Sequence, residues 1–174
     1  TWWDLGMNDQ TAIWFVQKYK NEIRLIDYYE NSGFGLDHYA DILKNKGYEY
    51  STHIFPHDVK IRELGNYGKT RLDSLLELGI VGEVAPKISI EDGIEAVRKN
   101  LVNCWFDKDK CATGIEYLKA YQKKWDEKAQ VFKSKPLHNF ASHCSDAFRT
   151  GIVGQGIELS NWEKEVPINT NYIV

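Results

Sequence analysis

The sequence has no run of 18 apolar residues and no charged-then-apolar leader at its start. A transmembrane helix needs about 20 mostly apolar residues, and a secretory leader needs an apolar stretch behind a basic one, so nothing points to a membrane span or an export signal. Cysteine is scarce, with Cys104, Cys111 and Cys144 the three present. An odd count without a dense framework fits a reducing cytosol better than a disulfide scaffold. Even with His138 and His143 added, the spacing matches no tight zinc finger or ribbon, so the thiols read as small buried hydrophobes. Methionine occurs once, at Met7, while Thr1-Trp2-Trp3-Asp4 already reads as a strand. The chain is therefore expected to be a piece of a longer protein. An excess of positive charge is also missing, the net charge being −3. That argues weakly against nucleic acid, because phosphate binding is local and a small basic patch can exist on an acidic protein. No internal repeat or low-complexity stretch is present.

What is present is 43% hydrophobic and 13% aromatic, enough for one globular domain with a substantial core. Trp2–Leu5, Thr11–Gln17 and Arg24–Glu30 read as three strands joined by short turns, an antiparallel meander, with Asn8-Asp9 as the first turn. Leu36, Tyr39, Ala40 and Leu43 then recur at helical spacing, and Gly47 supplies a stop. Tyr50–Phe55 returns to strand composition and ends at Pro56; a helix follows over Lys69–Leu78, and Ile80–Ile88 holds another short strand. Ser89 with Asp92 caps a helix whose apolar face is Ile94, Val97, Leu101 and Trp105. Thr113 with Glu116 reads as a capping box for a helix bearing Ile115, Leu118, Tyr121, Trp125 and Phe132. Ser142 reads as the N-cap of a last helix reaching about Ile152, and the stretch from Gly154 onward as an extension. The expected fold is α/β, a mixed sheet with helices on its faces.

Carboxylates stand where the chemistry of such a fold would need them. Asp4 closes the first strand, Asp58 follows the Tyr50–Phe55 strand, and Asp146 lies one turn into the last helix. Converging carboxylates repel each other unless a cation sits between them, and Mg²⁺ or Mn²⁺ prefers oxygen ligands of this kind. Two such ions about 3.5–4 Å apart are the usual device for phosphodiester cleavage. Each acid taken singly is more often a solvated strand end. His143, three residues before Asp146, shares its helix face and is either a metal ligand, a base, or a residue satisfying the helix start. Asp27 is either a fourth acid near the site or a buried acid paired with a cation. Gly65-Asn66-Tyr67-Gly68-Lys69-Thr70 imitates a phosphate loop, but Glu63 stands where that loop requires glycine, so ATP binding is not expected. Lys60, Arg62, Lys69 and Arg71 in the same region read as a DNA-backbone contact or as a solvated face.

Several stretches together resemble the C-terminal nuclease domain of phage large terminases. They are Trp3-Asp4-Leu5-Gly6 ahead of Thr11-Ala12-Ile13-Trp14-Phe15, Ile26-Asp27-Tyr28-Tyr29-Glu30, Phe55-Pro56-His57-Asp58 before the Gly-Lys-Thr-Arg segment, and above all Pro136 to Arg149, PLHNFASHCSDAFR. The resemblance covers the chain to about Val153. It implies a ribonuclease H-like domain over 1–153, its central sheet the antiparallel meander extended by further strands, with a C-terminal extension over 154–174. It also implies a metal-dependent endonuclease cutting concatemeric double-stranded viral DNA in the host cell cytoplasm. Asp4, Asp58 and Asp146 would bind two Mg²⁺ or Mn²⁺ ions, with His143 as a further ligand and Lys60, Arg62, Lys69 and Arg71 on the DNA. The partners implied are an ATPase motor of the same polypeptide, absent from this chain, together with a portal and a small terminase subunit, and no membrane. Many relatives carry an acid where this chain has Asn139, which puts that acid's role in doubt. A resolvase or transposase-type nuclease of the same fold is the runner-up. A catalytically silent DNA- or portal-docking module is a third reading, and the two-domain sugar-kinase and actin-like fold needs about twice this length.

Overall fold

The structure is a computed structural model that describes residues 1–6, 9–62 and 68–156. The expected meander is present: β1 (Trp2–Asp4), β2 (Gln10–Tyr19) and β3 (Glu22–Ser32) pair antiparallel, Trp3 facing Ile13 and Ile13 facing Tyr29. Three short strands extend it in parallel. β4 (His53–Phe55) pairs with β1, β5 (Gly82–Val84) with β4, and β6 (Cys104–Phe106) with β3, giving the order β5-β4-β1-β2-β3-β6. Helices α1 (Leu36–Lys46), α2 (Arg71–Glu77), α3 (Ile90–Asn100), α4 (Ala112–Ala120) and α5 (Ala141–Gly154) accompany the sheet.

Alternation along the central strands explains why the Ala12–Val16 stretch of β2 is apolar without a break. Side chains two apart share a face, so Trp2, Ala12 and Trp14 enter one core while Trp3, Ile13 and Phe15 enter the other. The first core is completed from α5 by Cys144, Phe148 and Ile152, and the second by Tyr39 and Leu43 of α1 and Leu75 of α2. α5 lies directly on β1. A Cβ on Gly151 would overlap the Trp2 indole, and the Trp14 indole N–H donates to the Cys144 carbonyl at 3.0 Å.

Several element boundaries differ from the sequence expectation for identifiable reasons. α3 stops at Asn100, whose side-chain amide turns back to the Ala96 carbonyl, and Trp105 belongs to β6, 63% exposed. Cys111, not Thr113, is the N-cap of α4, and that helix ends at Ala120. Trp125 and Phe132 lie instead on the hairpin β7 (Lys123–Asp126) and β8 (Val131–Pro136), as a cross-strand T-shaped pair at 4.8 Å. Seven residues make two helical turns, but also two partners across a short turn, so the aromatic spacing alone misleads. Phe140 is the N-cap of α5, and Ser142 sits in its first turn, its hydroxyl accepting the Asn139 N–H and donating to the Leu137 carbonyl.

Thr70 of the Gly-Lys-Thr segment opens α2 through a reciprocal capping box with Asp73. Glu63, Gly65, Asn66 and Tyr67 of that region, and residues 157–174 of the expected extension, lie outside the described residues. Asp27 is the buried, paired acid of the two alternatives: Lys46 Nζ donates to its carboxylate at 2.6 Å and the Tyr48 hydroxyl at 3.2 Å. Cys111 and Cys144 are buried, their thiols donating to the Leu25 and Gly114 carbonyls. Among the described residues no helix is long and apolar enough to cross a membrane.

Candidate active site

β1 and β4 are parallel neighbours, so their C-terminal ends open on the same edge of the sheet. Asp4 is the last residue of β1. Beyond β4, Pro56 ends the strand and a 3₁₀ turn over His57–Lys60 presents Asp58, anchored by the buried Val59. α5 crosses above and brings Asp146 from its second turn. The three expected acids line one cleft, with Pro56, Pro86 and Arg149 among its walls.

The electrostatics of this cleft are those of crowded, partly dehydrated carboxylates. Burial pushes the Asp4 carboxyl above its ordinary value, the hydrogen bond from His143 pulls it back, and the Asp58 charge pushes it up again. Burial likewise takes Asp146 to about 6, opposed by Arg149 and reinforced by Asp4. The Arg149 guanidinium reaches Asp146 Oδ1 at 3.0 Å. Its aliphatic stem crosses Gly93 of α3, where a Cβ would collide with it. Asp58 Oδ1 is buried without a hydrogen-bond partner. An orphaned buried polar atom of this kind costs roughly 1–3 kcal/mol, more for a charged group. A divalent cation with hard oxygen preferences would satisfy that atom and relieve the mutual repulsion, so the donor set fits Mg²⁺ or Mn²⁺.

His143 engages Asp4 on one side and, on the other, a residue whose sequence context marks only a turn. Its Nδ1 lies 2.9 Å from Asp4 Oδ2 and its Nε2 3.1 Å from Asp9 Oδ1. The hydrogen bond to Asp4 raises the imidazole above its usual value, burial opposes this, and the charges of Asp4, Asp9 and Asp146 add to the rise. His138 Nε2 stands 3.5 Å from the second oxygen of Asp9. Asp9 follows the β1 strand by a few residues and Gly6 leaves it room, since a Cβ there would strike the backbone of Asp9 and Gln10. That closeness to Asp4 in the chain was the available signal. Arg149 was visible only as part of the Pro136–Arg149 stretch. Asn139 accepts the Ala141 N–H on its side chain and so braces the start of α5.

The four candidate DNA cations are arranged unevenly. Lys60 shares the 3₁₀ turn with Asp58. Arg62 is bridged to Thr70. Lys69 pairs with Glu77 at 2.6 Å, and Arg71 donates to the Leu5 carbonyl at 2.9 Å, tying α2 to the end of β1.

No family model and no curated protein matches the sequence. Solved structures do match. The large terminase of a thermophilic bacteriophage superposes with a TM-score of 0.64 at 19% identity, covering 87% of this chain and 38% of that one. The same protein in complex with ATP-γ-S gives 0.65 at 20% identity with the same coverage. The nuclease domain of g2p, the large terminase of bacteriophage SPP1, with bound Mn, gives 0.57 at 18% identity, covering 86% of this chain and 81% of that one. At these identities the likeness is one of fold, and the fold is the expected ribonuclease H-like one. The chain spans less than two-fifths of the length of the thermophilic phage's large terminase.

Proposed function

We propose that this chain is the DNA-cleaving domain of a viral genome-packaging terminase, hydrolysing phosphodiester bonds of concatemeric double-stranded DNA with divalent metal. The observation that carries the proposal is the gathering of Asp4, Asp58 and Asp146 in one cleft, with a buried Asp58 oxygen that lacks a donor. The shared fold with a Mn-bound terminase nuclease domain supports it.

Two Mg²⁺ or Mn²⁺ ions bound by these acids would polarise the phosphate and lower the pKa of an attacking water. The rest is the work of the chain itself. A strand end, a 3₁₀ turn and a helix carry the three carboxylates, and such ordered elements hold side chains rigidly, as a ligand set requires. Arg149 holds Asp146 by its Oδ1 oxygen. His143 orients Asp4 through Nδ1; to serve as a further ligand of the same ions by that nitrogen it would have to give up this hydrogen bond. Lys60, Arg62, Lys69 and Arg71 are assigned to the DNA backbone beside Asp58, with Lys60 the nearest in sequence. Residues 1–153 form the nuclease domain and 154–174 its extension. An ATPase motor in the same polypeptide, a portal and a small terminase subunit would be its partners in the host cytoplasm.

The test is plasmid digestion by the purified chain with Mn²⁺ or Mg²⁺ and with chelator. Asp4→Asn, Asp58→Asn and Asp146→Asn are each expected to lower the cleavage rate by about 10²-fold or more while the fold, followed by circular dichroism, is retained. Wild-type cleavage by Asp58→Asn and Asp146→Asn, or cleavage undiminished by chelator, would overturn the reading.

A further inference from the structure

Asp9, His138 and His143 present one carboxylate oxygen and two imidazole nitrogens that all lie within 4.8 Å of one another. We propose that they form a second metal site, distinct from the acid cleft, for a transition-metal ion of the Zn²⁺ class. This goes beyond the nuclease reading and does not depend on it.

Three features argue for an ion here rather than a mere surface ion pair. The first is spacing. Ligands about 2.0–2.2 Å from a tetrahedral Zn²⁺ stand roughly 3.3–3.5 Å from each other. His143 Nε2 lies 3.1 Å from Asp9 Oδ1 and His138 Nε2 lies 3.5 Å from Asp9 Oδ2, and one donor atom from each residue falls within 4.8 Å of the other two, so rotation of the exposed Asp9 and His138 side chains would draw the set around the ion. The second is tautomer control. A ligating histidine generally donates its other N–H to a carboxylate, which fixes the ring and raises its basicity. His143 Nδ1 already faces Asp4 Oδ2 at 2.9 Å, leaving Nε2 directed at Asp9. The third is ligand type. Two imidazoles and one carboxylate favour Zn²⁺, Co²⁺ or Ni²⁺ over Mg²⁺, the reverse of the all-oxygen set formed by Asp4, Asp58 and Asp146. Two neighbouring sites of opposite preference would thus share one element, the His143–Asp4 pair. Three protein ligands leave a coordination position open. The exposure of His138 (74%) and Asp9 (55%) puts that position toward solvent, while His143, 11% exposed, is the fixed member.

The experiment uses the full chain stripped of metal, carrying Asp58→Asn and Asp146→Asn so that the acid cleft is disabled. Zn²⁺ is titrated in competition with a chromophoric chelator, and Co²⁺ is followed by its visible absorption. One equivalent of Zn²⁺ is expected to bind, with Co²⁺ giving the intense bands of a four-coordinate site and millimolar Mg²⁺ failing to displace either. His138→Ala and Asp9→Asn are surface changes that should not disturb folding, and each is expected to weaken binding at least tenfold. Absence of binding in the parent would overturn the proposal. So would affinity unchanged in His138→Ala and Asp9→Asn, or affinity lost in Cys104→Ser.

Discussion

Asp146 holds its proton to about pH 6 because burial and the neighbouring Asp4 outweigh Arg149. Its ordinary value is 3.8, so the folded state binds this proton more tightly than the unfolded one. Its stabilising contribution is therefore fully present below the unfolded value and is lost as pH rises through about 6. Metal-free Asp146→Asn should accordingly melt several degrees above wild type at pH 7.5, with the gain shrinking as pH falls through about 6 and vanishing only below the ordinary value of 3.8. A gain that does not vary with pH would assign it to something other than ionisation. Mn²⁺ should raise the wild-type Tm at pH 7.5 and do so less in the variant, since binding to the folded state alone stabilises it. The three acids were legible because strand ends and helix faces are where a sequence pattern places a rigid side chain. Asp9 was hidden by its second role as a turn residue. The orphaned Asp58 oxygen and the Arg149–Asp146 pair depend on packing, which no local spacing encodes.

At the scale of elements, the meander, α1 with its Gly47 stop in the left-handed region, and the parallel additions β4 and β5 followed the pattern of the chain. The segment from α3 to β8 did not, because Trp105, Trp125 and Phe132 are exposed apolar residues whose periodicity reports no buried face. The position of α5 depends on the missing side chain at Gly151. Gly→Ala in a helix interior would ordinarily gain about 0.8–1 kcal/mol. At Gly151 the added methyl meets the Trp2 ring, in a core whose members are at most a few per cent exposed. Overpacking of this kind costs about 1–3 kcal/mol and more where backbone must shift. Gly151→Ala is expected to lower the urea midpoint by a corresponding amount at unchanged m-value. Cleavage should fall as well, because the helix that shifts also carries Asp146 and His143. A variant as stable as wild type would mean that Trp2 can turn aside.

The sequence is mildly acidic overall, so the DNA binding proposed for it would have to come from local groups. Of the four assigned cations, Lys69 and Arg71 have ties within the fold, so their removal mixes binding with stability. Lys60 and Arg62 give the cleaner measurement. Lys60→Ala with Arg62→Ala is expected to weaken DNA binding equally on any sequence and to reduce the log–log salt slope by about two units. An unchanged slope would return these residues to the solvated face.

One property of α5 bears on time. Asp4 and His143 lie 139 positions apart along the chain, yet their side chains touch, and Asp146 comes later still. At about 5–20 residues per second, a ribosome that has made β1 needs on the order of ten seconds to reach α5. During that interval the growing polypeptide holds Asp4 and Asp58 without Asp146, and the proposed metal site is incomplete. On the nuclease reading proposed above, a domain assembled in this order would be born inert and could cut only after α5 has been translated and docked.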